Sequence, residues 1–370
     1  MRITKVSLFH KHLPMLCSSF TCSLEPGVTS ADVVIVKVET DEGLVGYGEA
    51  GAVGGYPNYA AGIMASSAEL IRRHLIHQDP RDINAIQHLM SLIDGHGSIK
   101  SAFDIACWDI LGKWMGQPLA RLLGGRLRDS VPVYRGLPLK KPAEMGKEAD
   151  AWRMEGYRMF LMKVGCGDLA EDVECIEAVM ANRQPGEHYT VDASGRWRPE
   201  EALYVLKAVQ HLDFVLEQPC WHYDECLSVR QRTGRAVKLD NVITDVNMVL
   251  RAQADRSCEL MTLKIDKLGG VSQGRIARDI TSAAGIAVTM EAQWGTEIMG
   301  AAVTQLATTT PANRLLAASD VHTYSSLATA KGMPIFVEDG MMGMANNDLP
   351  GLGIEVDPDS LGEAGIVINA

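Results

Sequence analysis

Lys163, Asp192, Glu217, Asp240, Lys264, Glu291 and Asp320 recur at intervals of 29, 25, 23, 24, 27 and 29 residues. Each sits at the end of a short apolar run, in "MFLMKVG", "YTVDAS", "FVLEQP", "AVKLDN", "LMTLKID", "IAVTMEA" and "LLAASD". One ionisable residue at the C-terminal end of each successive strand is what a parallel barrel uses to gather chemistry, because its active site lies at that face. Asp192, Glu217 and Asp240 would come from neighbouring strands, and three like charges that close require a cation. With no His or Cys among them, these hard oxygen donors favour Mg2+, with Mn2+ the alternative, over zinc. Lys163 and Lys264 close the second and sixth runs, which stand opposite one another in an eight-stranded ring. Two amines so placed can take an α-proton from one face of a carboxylate substrate and return one to the other, through an enediolate that the metal stabilises. A nearby divalent ion and a second ammonium both push a lysine pKa down towards that task.

The elements that must position these residues follow from the texture of the chain. From about Val131 eight apolar runs, the first "VPVYRG", alternate with helical stretches such as "SQGRIARDITSAAG" over roughly 200 residues. That alternation predicts a parallel α/β barrel. An open doubly wound sheet would want a Gly-rich phosphate turn after its first strand, and none is present. The helix after the eighth run is short or missing. Before about residue 125 the texture is mixed: strands from Met1 and through "VVIVKVETDEG", then helices from about Asn58 to Ile76, Asp82 to Ile93 and Ile99 to Met115. Two long loops of small residues, Cys17 to Ser30 and Gly51 to Tyr59, are candidate lids. From Lys331 on, "GMPIFVEDGMMGM" and "GLGIEVD" return to hairpin-like strands, expected to rejoin the first domain. The expected division is 1–125 as a capping α+β domain, 126–331 as the barrel and 332–370 as the returning segment.

Composition narrows the function classes. The 370 residues are 46% hydrophobic and 22% charged with a net charge of −11, which argues against a nucleic-acid surface or an anionic-membrane patch. Eight scattered cysteines without a CxxC pair suit reduced thiols better than disulfides or structural zinc. Lys5, His10, Lys11 and His12 break any signal-peptide core, and no uncharged run reaches the length of a membrane span. The expected location is cytoplasmic. Taken singly, a strand-end lysine is an ordinary snorkelling side chain and an Asp before a helix is an ordinary cap. Their joint spacing carries the inference.

The chain resembles the enolase superfamily, and within it the muconate lactonizing enzyme subgroup that uses two lysines. The resemblance rests on "GYGEA", "KSAFDIACWDILGKWMGQPLARLLGG", "MKVG", "VDASGRW", "LEQPC", "KLDN", "LKIDKLGG" and "EAQWGTEI", and spans essentially the whole chain. It implies a modified TIM barrel, (β/α)7β, closed by an α+β capping domain built from the N-terminal and C-terminal segments. It further implies Asp192, Glu217 and Asp240 as Mg2+ ligands, Lys163 and Lys264 as the general acid/base pair, and a homo-oligomer, dimer or octamer. Leu161 stands where many relatives carry a further lysine, Ser194 replaces a usual Asn, and Asn241 replaces a common Glu. The absence of His from "VTMEAQW" sets the chain apart from the mandelate racemase subgroup. Tyr56 in "GGYPNYAAG" and Trp294 in "EAQWGTEI" resemble the hydroxyproline-directed branch, which includes cis-3-hydroxyproline dehydratases and proline-betaine epimerases. Those aromatic faces, with Glu291 and the lone Asp320, would hold a substrate ammonium. The expected partner is therefore a small-molecule carboxylate of the cyclic amino acid type. The outcome is either racemisation or epimerisation, or dehydration where a β-hydroxyl leaves. Muconate-type cycloisomerase, o-succinylbenzoate synthase, N-acylamino acid racemase and dipeptide epimerase activities are the alternatives. A non-catalytic relative would have lost a metal ligand or a lysine, and all five are present.

Overall fold

The structure is a computed structural model that describes residues 1–16, 30–51 and 59–370. Most of both candidate lids, and Tyr56 with them, lie outside the described residues. The β-branched run of "VVIVKVE" sits at the centre of an antiparallel sheet formed by β1 (Ile3–Pro14), β2 (Ser30–Thr40) and β3 (Val45–Gly51). One face of this sheet packs on the cap helices through Val6, Leu8, Val34, Val36 and Ile63, the other on the barrel through Phe9, Leu13, Val33 and Ile35. The cap helices are Tyr59–Leu70, continued by a π-helical turn at Ile71–Leu75, then Ile83–Ser91 and Gly97–Met115. The last is buried almost all round, because it lies between β3 and the barrel. Its backbone comes so near β3 that a Cβ at Gly48 would stand 1.8 Å from the carbonyl oxygen of Ala102, so only glycine fits there.

After the short strand β4 (Ser130–Pro132) come eight parallel strands in strict sequence order: β5 (Arg135–Leu137), β6 (Met159–Lys163), β7 (His188–Asp192), β8 (Val215–Glu217), β9 (Val237–Leu239), β10 (Leu260–Lys264), β11 (Ala287–Glu291) and β12 (Leu315–Ala318). A parallel bridge between Val133 and Ala318 brings the last strand back to the first, so the curled sheet is a TIM-barrel-like (β/α)7β fold. Directly after β12 comes a 3-10 turn, Val321–Tyr324, where the preceding barrel strands lead into α-helices. The run "VPVYRG" divides in two. Its first part is β4, which pairs antiparallel with the hairpin β13 (Ile335–Glu338) and β14 (Met341–Met344), while Arg135 onward enters the barrel. Of the C-terminal strands, β15 (Ile366–Asn369) joins the capping sheet beside β1, whereas that hairpin stays with β4.

Cap and barrel are tied by carboxylates at helix starts. Glu49 on β3 accepts hydrogen bonds from the backbone N–H groups of Thr296 and Met299 and from the Thr296 hydroxyl, at the N-terminus of helix Glu297–Thr308. Asp104 does the same for helix Val271–Ala284, accepting from the Ser272 N–H and hydroxyl and from Gln87. Both use the unsatisfied N–H groups that every helix start presents. Burial pushes Glu49 up to about 7 and Asp104 up to about 6, against the opposite pull of those donors.

Candidate active site

Inward-facing positions along the barrel strands alternate with positions that pack on the outer helices. Met261, Leu263, Val288 and Met290 belong to the core, while Thr262, Lys264, Thr289 and Glu291 point the other way. Two polar layers result. The lower holds Thr190, Lys238, Thr262 and Thr289, all buried. The upper, two residues further along each strand, holds Asp192, Asp240, Lys264 and Glu291, joined by Glu217 and Lys163. The lower layer serves the upper by hydrogen bonding: Thr262 donates to Glu217 at 3.0 Å, Thr289 to Glu291 at 2.6 Å, and Lys238 to both Glu217 and Glu291 at 3.1 Å.

The upper layer lines a cavity of about 450 Å³. Lys163, Asp192, Glu217, Asp240, Lys264, Glu291 and Trp294 all contribute to its wall, along with Leu161, Ser194 and Asn241. Lys163 and Lys264 end β6 and β10, four strands apart in the eight-stranded order, with the three acids on or just after the strands between them. Asp320 is different. It is fully buried, accepts hydrogen bonds from Arg135 at 3.3 Å and Thr323 at 3.0 Å, and is not part of the cavity wall. The guanidinium of Arg135, stacked on Trp152 and Tyr324, is its counterion. Glu291 reaches the cavity, but both its oxygens are engaged, one by Lys238 and Thr289 and the other by the Tyr134 hydroxyl at 3.1 Å.

Each of the three central acids faces an ammonium: Asp192 faces Lys163, Glu217 faces Lys238 and Asp240 faces Lys264 at 2.6 Å. So turned, the three do not bring one oxygen apiece within 4.8 Å of one another. Their chemistry nonetheless fits a hard divalent cation, since all donors are carboxylate oxygens and they crowd. Glu217 shows the crowding: burial raises its pKa, Lys238 draws it back, and Asp192, Glu291 and Asp240 raise it further, so that it ends well above the usual carboxylate range. Asp240 goes the other way. Burial would raise it, but Lys264 and Lys267 hold it well below the usual range. Burial works against the charge on Lys264, and Asp240 with Glu291 more than restores it; Lys163 is likewise raised by Asp192 and Glu217.

Two lysines here escape a reading confined to strand ends. Lys238 lies two residues before Asp240 on the same face of β9, with its side chain only 1% exposed, against 13% for Lys163 and 19% for Lys264. Period-two alternation through "VKLD" is the signal that finds it. Lys267 bonds the carbonyl oxygen of Asp240 at 2.6 Å and its carboxylate at 3.3 Å. Ser194 adopts a left-handed φ of 50° that folds its N–H back on Asp192 Oδ1 at 2.6 Å, with its hydroxyl 3.2 Å from Lys163. Gln218, at φ 36°, accepts from the Asp240 N–H and donates to the Cys220 carbonyl. Strained backbone thus follows two of the three acids, the kind of feature that clusters at functional sites.

No helix among the described residues is long and apolar enough to cross a membrane. The family described as Enolase C-terminal domain-like matches residues 144–360, and the Mandelate racemase / muconate lactonizing enzyme N-terminal domain matches residues 7–124. A cis-3-hydroxy-L-proline dehydratase of Roseibium aggregatum is 38% identical over 98% of both chains. An N-succinyl-L-Arg/Lys racemase of Bacillus cereus is 30% identical, again over 98% of both. Among solved structures, a member of the enolase superfamily from Roseovarius nubinhibens complexed with magnesium superposes with a TM-score of 0.92 at 31% identity, covering 100% of both chains. A mandelate racemase/muconate lactonizing enzyme from the same organism gives 0.89 at 36%, covering 100% of this chain and 99% of that one. Shared sequence over both domains, the barrel with its cap and the ionisable mouth agree: this chain belongs to the mandelate racemase/muconate lactonizing enzyme family of the enolase superfamily.

Proposed function

We propose that the protein dehydrates a cis-3-hydroxyproline-type amino acid by removing its α-proton, with Lys163 and Lys264 as the acid/base pair. The observation that carries this reading is their placement on strands four apart in the order, lining one cavity with Asp192, Glu217 and Asp240 between them. The stereochemistry of the substrate asks for that arrangement. In a cis-3-hydroxyproline the hydroxyl shares the face of the carboxylate, so the α-hydrogen points to the opposite face. One lysine in its neutral form takes the α-proton, the C3–O bond breaks, and the other lysine as ammonium delivers the proton with which the hydroxyl leaves as water. The product is the C2=C3 enamine, which tautomerises to the cyclic imine. Asp192, Glu217 and Asp240 are the residues that would hold Mg2+, or Mn2+ in its place; when bound, the ion polarises the substrate carboxylate and offsets the charge that develops on it. Lys238 and Lys267 are positioning residues, fixing Glu217 and Asp240 from below and beside. Trp294 and the Glu291 carboxylate, which line the same cavity, provide the aromatic face and negative charge for a ring ammonium. Asp320 acts on the site only through Arg135 and the Tyr324 ring that the guanidinium covers.

The test is incubation with Mg2+ and a panel of proline derivatives in heavy water, followed by NMR. Cis-3-hydroxy-L-proline is expected to lose water, with EDTA and Lys264→Ala each abolishing the reaction. Exchange confined to N-succinyl amino acids would replace this reading with a racemase, the activity named for the Bacillus cereus relative, and would leave the two-lysine arrangement standing.

A further inference from the structure

The residues His10, His12 and Asp32 stand on the capping sheet, far along the sequence from every residue of the barrel mouth. His10 and His12 are alternate residues of β1 and so project from the same face, and Asp32 on β2 is the direct cross-strand partner of His12. His10 Nε2 lies 3.4 Å and His12 Nδ1 2.5 Å from the same oxygen, Asp32 Oδ1. The two imidazole centroids are 4.6 Å apart, and one donor atom from each of the three residues falls within 4.8 Å of the others. We propose that these three residues form a second, surface metal site that binds a borderline transition ion of the zinc class and not magnesium.

Donor chemistry, spacing, backbone order and access all support it. The donor set is two imidazoles and one carboxylate, the combination that suits zinc, nickel or copper, whereas the all-carboxylate mouth suits magnesium. Ligand bonds of about 2.0–2.2 Å in a tetrahedral site put neighbouring donors roughly 3.3 Å apart. His10 already meets that spacing from Asp32, and His12 needs to retreat by less than about 1 Å. The ladder beneath is continuous from Lys5 to Pro14 and fixes all three Cα positions, so little backbone ordering is left for the ion to impose. The site is also reachable: the His12 side chain is 71% exposed, and His10 and Asp32 are about one-third exposed. Three protein ligands leave a position for water, so the ion would be exchangeable. Its place in the fold gives it a structural reach, because the chain runs on from His12 past the end of β1 to Met15, which bridges Ser325 beside the cavity residue Tyr324.

The experiment uses the untagged full chain with Mg2+ in large excess to occupy the mouth, titrated with Zn2+ against a chromophoric chelator and, separately, with Co2+ monitored by its visible absorption. One ion per chain is expected, with a Co2+ spectrum of imidazole and oxygen ligation and a higher Tm on Zn2+ addition. His12→Ala and His10→Ala should each remove this ion and the Tm shift, Asp32→Asn should weaken it, and Asp192→Asn should leave it in place. Circular dichroism of each variant checks that the capping sheet is intact. The proposal is overturned if Zn2+ uptake in excess Mg2+ is absent, if it survives both His variants, or if it disappears only in Asp192→Asn.

Discussion

At the seam between cap and barrel, Glu49 and Asp104 are held by backbone N–H groups, hydroxyls and an amide; at the mouth, Asp192, Glu217 and Asp240 each face a lysine. All five are buried carboxylates in one small protein. Neutral donors gathered at a helix start carry no charge that another cation could replace, so the seam acids are committed to structure. An ammonium on a flexible stem can be moved aside for another cation, so the mouth acids remain available for chemistry. Lys238 is the intermediate case: it sits in the layer below, outside the cavity wall, and its charge is matched by two carboxylates of the layer above.

The largest expected effects break the mouth. Lys264→Ala and Lys163→Ala are each expected to lower turnover by at least about 10²–10⁴-fold, the usual worth of a positioned acid or base. Steady-state kinetics alongside unchanged Tm values would check it; near-normal turnover in either variant would remove that lysine from the chemistry. Next is Lys238→Met, which strands Glu217 and Glu291 without their shared counterion and should cost about 3–5 kcal/mol in denaturant unfolding. A neutral result there would mean that the layer beneath the mouth is not an electrostatic support. Glu49→Ala leaves the N–H groups of Thr296 and Met299 unpaired at the seam and should cost about 1–3 kcal/mol, with substrate KM little changed.

The remaining test is a pH dependence. Glu49 rises from 4.5 to about 7 in the folded protein, and Asp104 from 3.8 to about 6. Between the paired values the folded state binds more protons than the unfolded one, so their contribution to stability is full below about 4 and is lost as pH rises towards 7. Glu49→Gln and Asp104→Asn should therefore flatten that part of the stability profile. A profile equally steep in both variants would place its origin elsewhere.

The mouth was legible because a barrel converts a linear spacing into a ring: once the strands are read, Lys163, Asp192, Glu217, Asp240 and Lys264 must meet at one end. What lies one layer down was not, since Thr190, Lys238, Thr262 and Thr289 look like ordinary strand residues until their partners above them are known. Asp320 occupies the expected position but turns to Arg135, a guanidinium that stacks on two or more aromatic rings and whose need for a counterion no local pattern discloses. The motifs "GYGEA" and "KSAFDIACWD" marked the family without revealing their purpose. Glu49 and Asp104 find their partners 247 and 168 residues away.

Because the upper-layer carboxylates on β8 and β11 each rest on a hydroxyl or ammonium from the layer beneath, the barrel floor cannot be filled with aliphatic side chains as most barrel interiors are. Anyone redirecting this scaffold to a new reaction would have to redesign the two tiers together, since a mouth residue exchanged alone inherits supports shaped for its predecessor.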